Sequence, residues 1–219
     1  MSDPKKRVVV VEPHPIVRER LAELIGEEEG MEFCGEADNA KGGLALIDSA
    51  RPDLAVVGIA LKGSNGMDLI KQVRASALPT AILVLSMYEE SVYARRVIAN
   101  GARGYISESC TSLEIMAAIR HVLDGKIYLS PAMTDVVLHT LSASPIAAPT
   151  GRSPNQLSDR ELAVLEKIGQ GQNSRQIAKA LGVGTASVDT YRARIKEKLN
   201  LRNAFELTSF AIRYFHNLQ

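Results

Sequence analysis

The sequence has few cysteines and no long apolar run, and each absence excludes a class of protein. Cys34 and Cys110 are its only cysteines, and they have neither CxxC nor metal-ligand spacing, so they indicate reduced thiols and not a disulfide scaffold. The four valines near the N-terminus are followed directly by Glu12 and Pro13, which leaves too short an apolar run for a signal peptide. No stretch approaches the roughly 20 apolar residues of a membrane span. We therefore expect a cytoplasmic protein without a membrane segment.

The whole chain also lacks an excess of charge of one sign, but this balance hides two different halves. The formal net charge of the 219 residues is +1. From Arg152 onward, however, the sequence contains eleven Lys and Arg but six Asp and Glu, whereas residues 1–151 contain fifteen Lys and Arg but nineteen Asp and Glu. A basic segment is the electrostatic mark of nucleic-acid binding. We therefore expect the C-terminal segment to bind nucleic acid.

Sequence signals of catalysis are missing as well. The glycines after Lys41 lack the order of a phosphate-binding loop, and no nucleophile elbow accompanies the Ser, His and Asp residues. His14 has no Cys, Asp or Glu partner at ligand spacing, so we interpret it as structural. The sequence predicts neither an enzyme nor a bound metal or cofactor.

The C-terminal part follows the pattern of a helix-turn-helix. Ser158 and Glu161 form a capping box at the start of a helix predicted to run to about Gly169. Asn173 or Ser174 then caps the helix SRQIAKAL, and the glycine after it ends that helix. The basic segment SVDTYRARIKEKL follows a GVG turn. This layout is typical of a DNA-reading motif.

Helical spacing divides the basic helix into two faces. Four residues are expected to pack it onto its domain: Val188, Tyr191, Ile195 and Leu199. The outer face, which a major groove would meet, is then formed by Ala186, Asp189, Thr190 and Ala193. A small helical domain with a solvated basic face is the alternative interpretation.

The segment LSDRELAVLEKIGQGQNSRQIAKALGVGTASVDTYRARIKEKLNLRNAFEL resembles the LuxR-type helix-turn-helix over its whole length. The resemblance implies a transcription regulator that binds double-stranded DNA as a homodimer. Its last helix, NAFELTSFAIRYF, provides either a pairing surface or core packing through Leu207, Phe210, Ala211 and Tyr214.

Roles are assigned to individual residues of this motif. We expect Arg175, Arg194 and Lys196 to contact phosphates, and Thr190 and Ala193 to meet base edges or a thymine methyl. Asp189 stands where many relatives carry lysine, and a carboxylate there would accept from cytosine N4. The full candidate set is Arg175, Thr185, Ser187, Asp189, Thr190, Ala193, Arg194 and Lys196.

The N-terminal half alternates short apolar runs with amphipathic segments. The runs RVVVVE, MEFCGE, LAVVGI, AILVLS and ARGYIS are predicted strands, separated by predicted helices near 15–27, 39–49, 65–76, 91–100 and 112–123. This alternation predicts an α/β doubly wound parallel five-stranded sheet of the flavodoxin-like type, followed by the all-α domain. Any site should lie at the carboxyl ends of the strands.

The strand ends also carry a second resemblance. The segments VVVVEPHPIVRERL, PDLAVVGIALKGSNGMDLI, AILVLSMYEE and GARGYISES resemble the receiver domain of NarL/FixJ-type response regulators. Receivers of this family have two acidic residues after the first strand and an aspartate nucleophile at the end of the third. They have a serine or threonine at the end of the fourth strand, an aromatic residue on the fifth strand and a lysine after it. The matching positions here are Glu12, Pro13, Gly58, Ser86, Tyr105 and Glu108.

Three of these positions depart from the receiver pattern. Gly58 supplies no nucleophile, Pro13 supplies no metal-binding carboxylate, and Glu108 places a negative charge where a cation is needed. We therefore interpret the domain as a pseudo-receiver that is not phosphorylated. Lys62 either pairs with Glu12 or Glu108 in the pocket or remains an exposed loop lysine.

Two alternatives stay open for the switch residues Ser86 and Tyr105. Either they retain part of a switch, or Ser86 caps its strand while Tyr105 is half-buried packing, which we favour.

The predicted organisation has three parts. Residues 1–125 form the pseudo-receiver, residues 126–156 a linker with a short helix and a flexible tether, and residues 157–219 the helix-turn-helix domain. The predicted function is phosphorylation-independent transcription regulation, with an unidentified protein or ligand acting on the pseudo-receiver. The alternative is an adaptor whose receiver-like domain recruits a partner while DNA binding is weak or lost.

Overall fold

The alternation of apolar runs with amphipathic segments builds the first part of the fold. This computed structural model describes residues 4–135 and 154–216, and the chain divides into two compact units between residues 142 and 143. The first unit contains, in chain order, β1 (Lys6–Val11), α1 (Pro15–Glu27), β2 (Met31–Ala37), α2 (Ala40–Ala50), β3 (Leu54–Val57), β4 (Ala60–Leu61), β5 (Ser64–Asn65), α3 (Gly66–Ala75), β6 (Ala81–Ser86), α4 (Glu90–Ala99), β7 (Gly104–Ser107) and α5 (Ser112–Leu123).

Five of these strands form a parallel sheet in the order β2-β1-β3-β6-β7. The predicted doubly wound fold is therefore confirmed. Val8, Val9, Val10 and Val11 are all fully buried, because helices cover both faces of a parallel sheet. Strand order reverses between β1 and β3, where ligands of such folds bind. Val11 and Val57 are register partners there, so the residues that follow the two strands are neighbours.

A close backbone contact fixes the start of α3. Gly66 N donates to Ile59 O over 2.7 Å, and a Cβ at position 66 would overlap the carbonyl oxygen of Gly58. Only glycine allows this approach. The short antiparallel pair β4 and β5 brings the chain to this point. The predicted strand LAVVGI ends earlier than expected, at Val57, so Gly58 and Ile59 lie between β3 and β4.

The second unit is helical. Its elements are a 3-10 turn (Pro154–Gln156), α6 (Asp159–Gly169), α7 (Ser174–Leu181), α8 (Thr185–Lys198) and α9 (Ala204–His216). The predicted Ser158–Glu161 capping box is present, and Asn173, not Ser174, caps α7. Gly182 ends α7 in the left-handed conformation, with φ of 64°, as predicted.

The segment between the units is described only in part. Residues 131–135 are helical, and Ser130 Oγ accepts from Met133 N over 3.2 Å at the start of this helix. The remainder of the predicted linker helix and most of the tether lie outside the described residues. Within the described ranges, no helix has the length and apolar character needed to cross a membrane.

Candidate functional site

The basic helix α8 has a buried and an exposed face. Val188, Ile195 and Leu199 are fully buried and Tyr191 is half-buried, which confirms the predicted packing face. The opposite side is exposed at Ala186, Asp189, Thr190 and Ala193, as the helical spacing predicts.

The other candidate contact residues lie on α7 and α8. Arg175, Thr185, Ser187 and Arg194 are exposed, whereas Lys196 is half-buried. Arg175 belongs to the first turn of α7, and the other four belong to α8. Five candidate cations and hydroxyls thus come from two neighbouring helices, which suits recognition of a backbone together with base edges.

A hydrogen bond that the sequence did not reveal joins α7 to α8. Ser174 Oγ donates to Asp189 Oδ1 over 3.0 Å, so one carboxylate oxygen of Asp189 is already engaged. Thr190 Oγ1 donates to Ala186 O over 2.9 Å. The hydroxyl proton of Thr190 is therefore used within its own helix, and the side chain presents a methyl group and an acceptor oxygen to any ligand.

An ion pair ties the end of α8 to the start of α6. Lys198 Nζ lies 2.6 Å from Glu161 Oε2, and the same oxygen accepts from Ser158 N over 2.7 Å. Burial raises the pKa of Glu161, but Lys198 and Ser158 outweigh it, so that the pKa is lowered overall. The basic helix is thereby held at its C-terminal end as well as along its buried face.

The second candidate site is the pocket at the carboxyl ends of the strands, where Glu12 lies against Gly58. Gly58 N donates to Val11 O over 2.8 Å, and the Glu12 side chain is only 2% exposed. A Cβ built on Gly58 would overlap Glu12 Oε2 and would lie 3.5 Å from Pro13 Cδ. The carboxylate of Glu12 therefore fills the space above position 58.

His14 holds Glu12 in this place. Glu12 Oε1 accepts from His14 N over 3.0 Å and lies 2.6 Å from His14 Nδ1. These hydrogen bonds agree with the structural interpretation of His14; its acidic partner stands two residues earlier, where the turn after β1 folds back. Burial raises the pKa of Glu12, and the contacts with His14 and the charge of Arg18 oppose that rise.

Glu108 is the second acid of the pocket. Its backbone N donates to Ser86 O over 3.0 Å, and its pKa is raised first by burial and then by the negative charge of Glu12. The carboxylates of Glu12 and Glu108 are thus close enough for the negative charge of one to oppose ionisation of the other. The residues do not suit Mg²⁺, since Pro13 offers no ligand, and the described residues contain no group of three or more His, Cys, Asp or Glu side chains that could hold a metal ion.

The switch positions Ser86 and Tyr105 are both buried, at 2% and 0% exposure. The half-buried packing expected for Tyr105 is therefore wrong. Its hydroxyl donates to Tyr88 O over 2.5 Å, while Ser86 Oγ accepts from Tyr88 N over 3.2 Å. Burial raises the pKa of Tyr105, and a side-chain hydrogen bond with Ser86 opposes that rise. Both switch side chains are thus bonded around one turn.

Lys62 lies outside the pocket. Its Nζ is 2.6 Å from Asp38 Oδ2 and its side chain is 59% exposed. Pairing with Glu12 or Glu108 is therefore contradicted, and the alternative of an exposed loop lysine is correct. The hydrogen bond with Lys62 lowers the pKa of Asp38.

A parallel sheet with a pocket at its strand ends, followed by a four-helix unit with an exposed basic helix, defines a receiver joined to a helix-turn-helix. The response regulator receiver domain family matches residues 8–120. The bacterial regulatory proteins of the luxR family match residues 155–211. The chain therefore belongs to the luxR-family response regulators, a family of transcription factors and not of enzymes.

Individual relatives match nearly the whole chain. The virulence-factor transcription regulator BvgA of Bordetella pertussis is 31% identical over 207 residues, covering 94% of this chain and 97% of BvgA. The nitrate/nitrite response regulator NarL of Escherichia coli K12 is 29% identical over 201 residues, covering 91% of each chain.

Solved structures give the same fold. A LuxR-family two-component response regulator from Aurantimonas sp. SI85-9A1 matches with a TM-score of 0.58 and 28% identity, covering 64% of this chain and 99% of that one. RcsB of Salmonella enterica serovar Typhimurium, bound to the promoter rprA, matches with a TM-score of 0.67 and 18% identity over 95% of this chain and 98% of RcsB. The RcsB likeness concerns the fold alone.

Proposed function

We propose that the chain binds DNA as a homodimer in the cytoplasm and regulates transcription without aspartate phosphorylation. The observation that carries the DNA-binding part of the proposal is the exposed outer face of α8. Thr190, Ala193 and Arg194 are exposed on α8, and Arg175 is exposed in the first turn of α7. Such a helix fits the major groove of B-DNA, and cations at its border position it on phosphates. The whole candidate set assigned from the sequence remains part of this proposal.

The relatives support the proposal by what they bind. RcsB is bound to the promoter rprA in one structure, and two RcsB dimers are bound to two parallel DNAs in another. We extend this behaviour to the present chain. A dimeric reader of paired half-sites protects two related sequences about one helical turn apart.

A pairing surface is available on α9. Pairing and core packing are the two alternatives for Leu207, Phe210, Ala211 and Tyr214. Leu207 and Ala211 are fully buried and belong to the core, whereas Phe210 and Tyr214 are half-buried. Phe205 is instead 79% exposed and Ile212 42% exposed, and both border one cleft with Ser209. We propose that these exposed side chains contribute to the dimer.

Gly58 and the residues around it support the proposal that the chain works without aspartate phosphorylation. Position 58 has no nucleophilic atom, and the space above it is filled by Glu12. Glu108 adds a second negative charge, whereas phosphoryl transfer needs a cation to neutralise the incoming group. Chemistry, space and charge therefore all oppose formation of an aspartyl phosphate, and we retain the description of residues 1–125 as a pseudo-receiver.

One experiment tests each half of the proposal. Footprinting of the full chain on enriched genomic fragments should reveal paired half-sites. Incubation with acetyl phosphate and Mg²⁺, followed by intact mass, should reveal no acid-labile species about 80 Da heavier, the mass of one phosphoryl group. Such a species on the wild-type chain would disprove independence from phosphorylation.

The rival function is a partner-binding adaptor with weak DNA binding. Asp189 favours it, because a carboxylate on the outer face repels phosphates. A genome-wide map of the DNA that the chain binds in the cell separates the transcription regulator from the adaptor. Complete lack of enriched sites would support the adaptor, whereas a set of related half-sites would support the regulator.

A further inference from the structure

The amino edge of the sheet carries a second cleft, at the opposite end of the strands from the Glu12 pocket. Its volume is about 540 Å³, which lies within the range of small-molecule sites. The walls come from residues at the starts of β1, β3, β6 and β7 and from the ends of α2, α3 and α5. Neither resemblance nor the proposed DNA binding uses this cleft.

The charged lining of the cleft is mainly basic. Lys6, Arg51, Arg74 and Arg103 line it, and Asp53 is its one acidic lining residue. Asp53 is already engaged, because its Oδ2 accepts from a backbone N–H over 2.7 Å and its Oδ1 lies 3.8 Å from Lys6 Nζ. The Asp53 carboxylate therefore does not compensate the positive charges of Arg74 and Arg103 on the other walls of the cleft.

Arg74 and Arg103 have no carboxylate partner within the part of the chain that the structure describes. Arg74 Nη1 donates to the neutral carbonyl of Ala99 over 2.8 Å, and its Cδ would lie 2.9 Å from a Cβ at Gly101. This packing orients the guanidinium while leaving its charge uncompensated. Guanidinium groups present planar forks of donors that match phosphate and carboxylate oxygens.

Backbone strain is concentrated at the same cleft. Arg51 and Ala77 have φ of 47° and 51°, and they are two of the three non-glycine residues with left-handed backbone in the described ranges. Arg51 lines the cleft, and Ala77 directly precedes the lining residue Leu78. Strained backbone of this kind is often found at ligand sites.

We propose that this cleft binds a small organic oxyanion, with a phosphate or carboxylate head against Arg74 and Arg103. The half-buried Leu78 and the exposed Pro79 of the lining receive the rest of the molecule. The proposal goes beyond regulation of transcription and holds whether or not the chain is phosphorylated. It assigns the first unit a binding site for a metabolite.

Calorimetric titration of the full chain tests the site with pyrophosphate and, separately, with succinate, at ionic strength held constant with sodium chloride. Saturable binding of either anion is expected, and the anion that binds identifies the head group as phosphate or carboxylate. Arg103→Gln and Arg74→Gln should each weaken binding about tenfold, the effect of losing one hydrogen bond to a charged group.

Arg95→Gln is the matched control, because Arg95 is exposed on α4 and does not line the cleft. It should leave the affinity unchanged. Lack of saturable binding of both anions would overturn the proposal. So would binding that resists both cleft substitutions, or binding that Arg95→Gln weakens equally. If Arg74→Gln alters the circular dichroism spectrum, Arg103→Gln decides the outcome, since only its backbone groups bond within the described chain.

Discussion

The Glu12 side chain occupies the space that a side chain at Gly58 would need, because a Cβ at position 58 would overlap Glu12 Oε2. The hydrogen bond from Gly58 N to Val11 O keeps the ends of β1 and β3 side by side, and the contacts of Glu12 Oε1 with His14 hold the carboxylate in place. The glycine is therefore more than a missing nucleophile. It is the residue that allows a buried acid to close the pocket.

The first prediction follows from this fit. Gly58→Ala should lower the free energy of unfolding by about 1–3 kcal/mol, the usual cost of overpacking, as measured by urea denaturation. Gly26→Ala is the control, because a Cβ at this position on α1 meets no atom within 4 Å. It should be neutral or stabilise by up to about 1 kcal/mol. Equal loss of stability in both variants would contradict the fit.

The second prediction concerns rescue of phosphorylation. Gly58→Asp alone should remain unmodified by acetyl phosphate and Mg²⁺, because the new carboxylate meets Glu12 and still lacks a cation at position 108. Intact mass measures the outcome. Pro13→Asp and Glu108→Lys must be added before an acid-labile phosphoryl adduct forms. A phosphorylated single variant would show that the charge of Glu108 is harmless.

The third prediction is a pH dependence. Because the folded state raises the pKa of Glu108, it binds this proton more tightly than the unfolded chain does. The contribution of Glu108 to the free energy of unfolding is therefore largest below the pKa of an ordinary glutamate. It is lost as pH rises through the higher pKa that Glu108 has in the folded state. Glu108→Gln should raise Tm at pH 7 by at most about 3 °C, because solvent screens part of the charge of this half-buried carboxylate.

That gain should vanish at low pH, where the carboxyl is protonated and resembles the amide. Thermal unfolding from pH 4 to pH 8 measures it, with the exposed Glu29→Gln as control. A gain in Tm that does not change with pH would refute the unfavourable negative charge of the partly buried Glu108 as its cause.

The fourth prediction tests a phosphate contact. Arg194→Ala should weaken binding to all DNA sequences similarly and reduce the slope of log affinity against log salt by about 1. Fluorescence anisotropy over a salt series measures both quantities. Arg20→Ala removes an exposed cation from α1, where it pairs with Glu23, and should leave the slope unchanged. An unaltered slope in Arg194→Ala would place this residue away from DNA.

The fifth prediction concerns the acid on the outer face of α8. Asp189→Lys should raise affinity for non-specific DNA, because it replaces repulsion of phosphates by attraction. Ser174→Ala is the control that removes the hydrogen bond to Asp189 and keeps its charge. Similar gains in both variants would mean that the hydrogen bond, and not the charge, limits binding.

Helix ends and strands were predictable because their signals are local. The capping boxes at Ser158 and Asn173 lie within three residues of their partners, and the left-handed Gly182 follows the same short-range logic. The four consecutive valines of β1 also predict a strand that is buried on both faces of the sheet. Fold and basic helix therefore follow from the sequence.

Contacts between distant segments were not predictable in this way. Lys62 pairs with Asp38, which lies 24 residues away, and nothing in the loop pattern distinguishes it from Glu12 as a partner. The Ser174–Asp189 bond spans 15 residues. The complete burial of Tyr105 likewise depends on how the turn at Tyr88 packs over it. Such outcomes are decided by side-chain packing in three dimensions, which periodicity does not encode.

Glu161 Oε2 accepts from Ser158 N, three residues earlier, and from Lys198 Nζ, 37 residues later. The first turn of α6 and the last turn of α8 consequently cannot fray independently, since opening either one leaves a buried carboxylate short of a partner. Their amide hydrogens should exchange with solvent through one shared opening. For the DNA binding proposed above, a last turn of α8 that is already folded lowers the cost of ordering the helix on association.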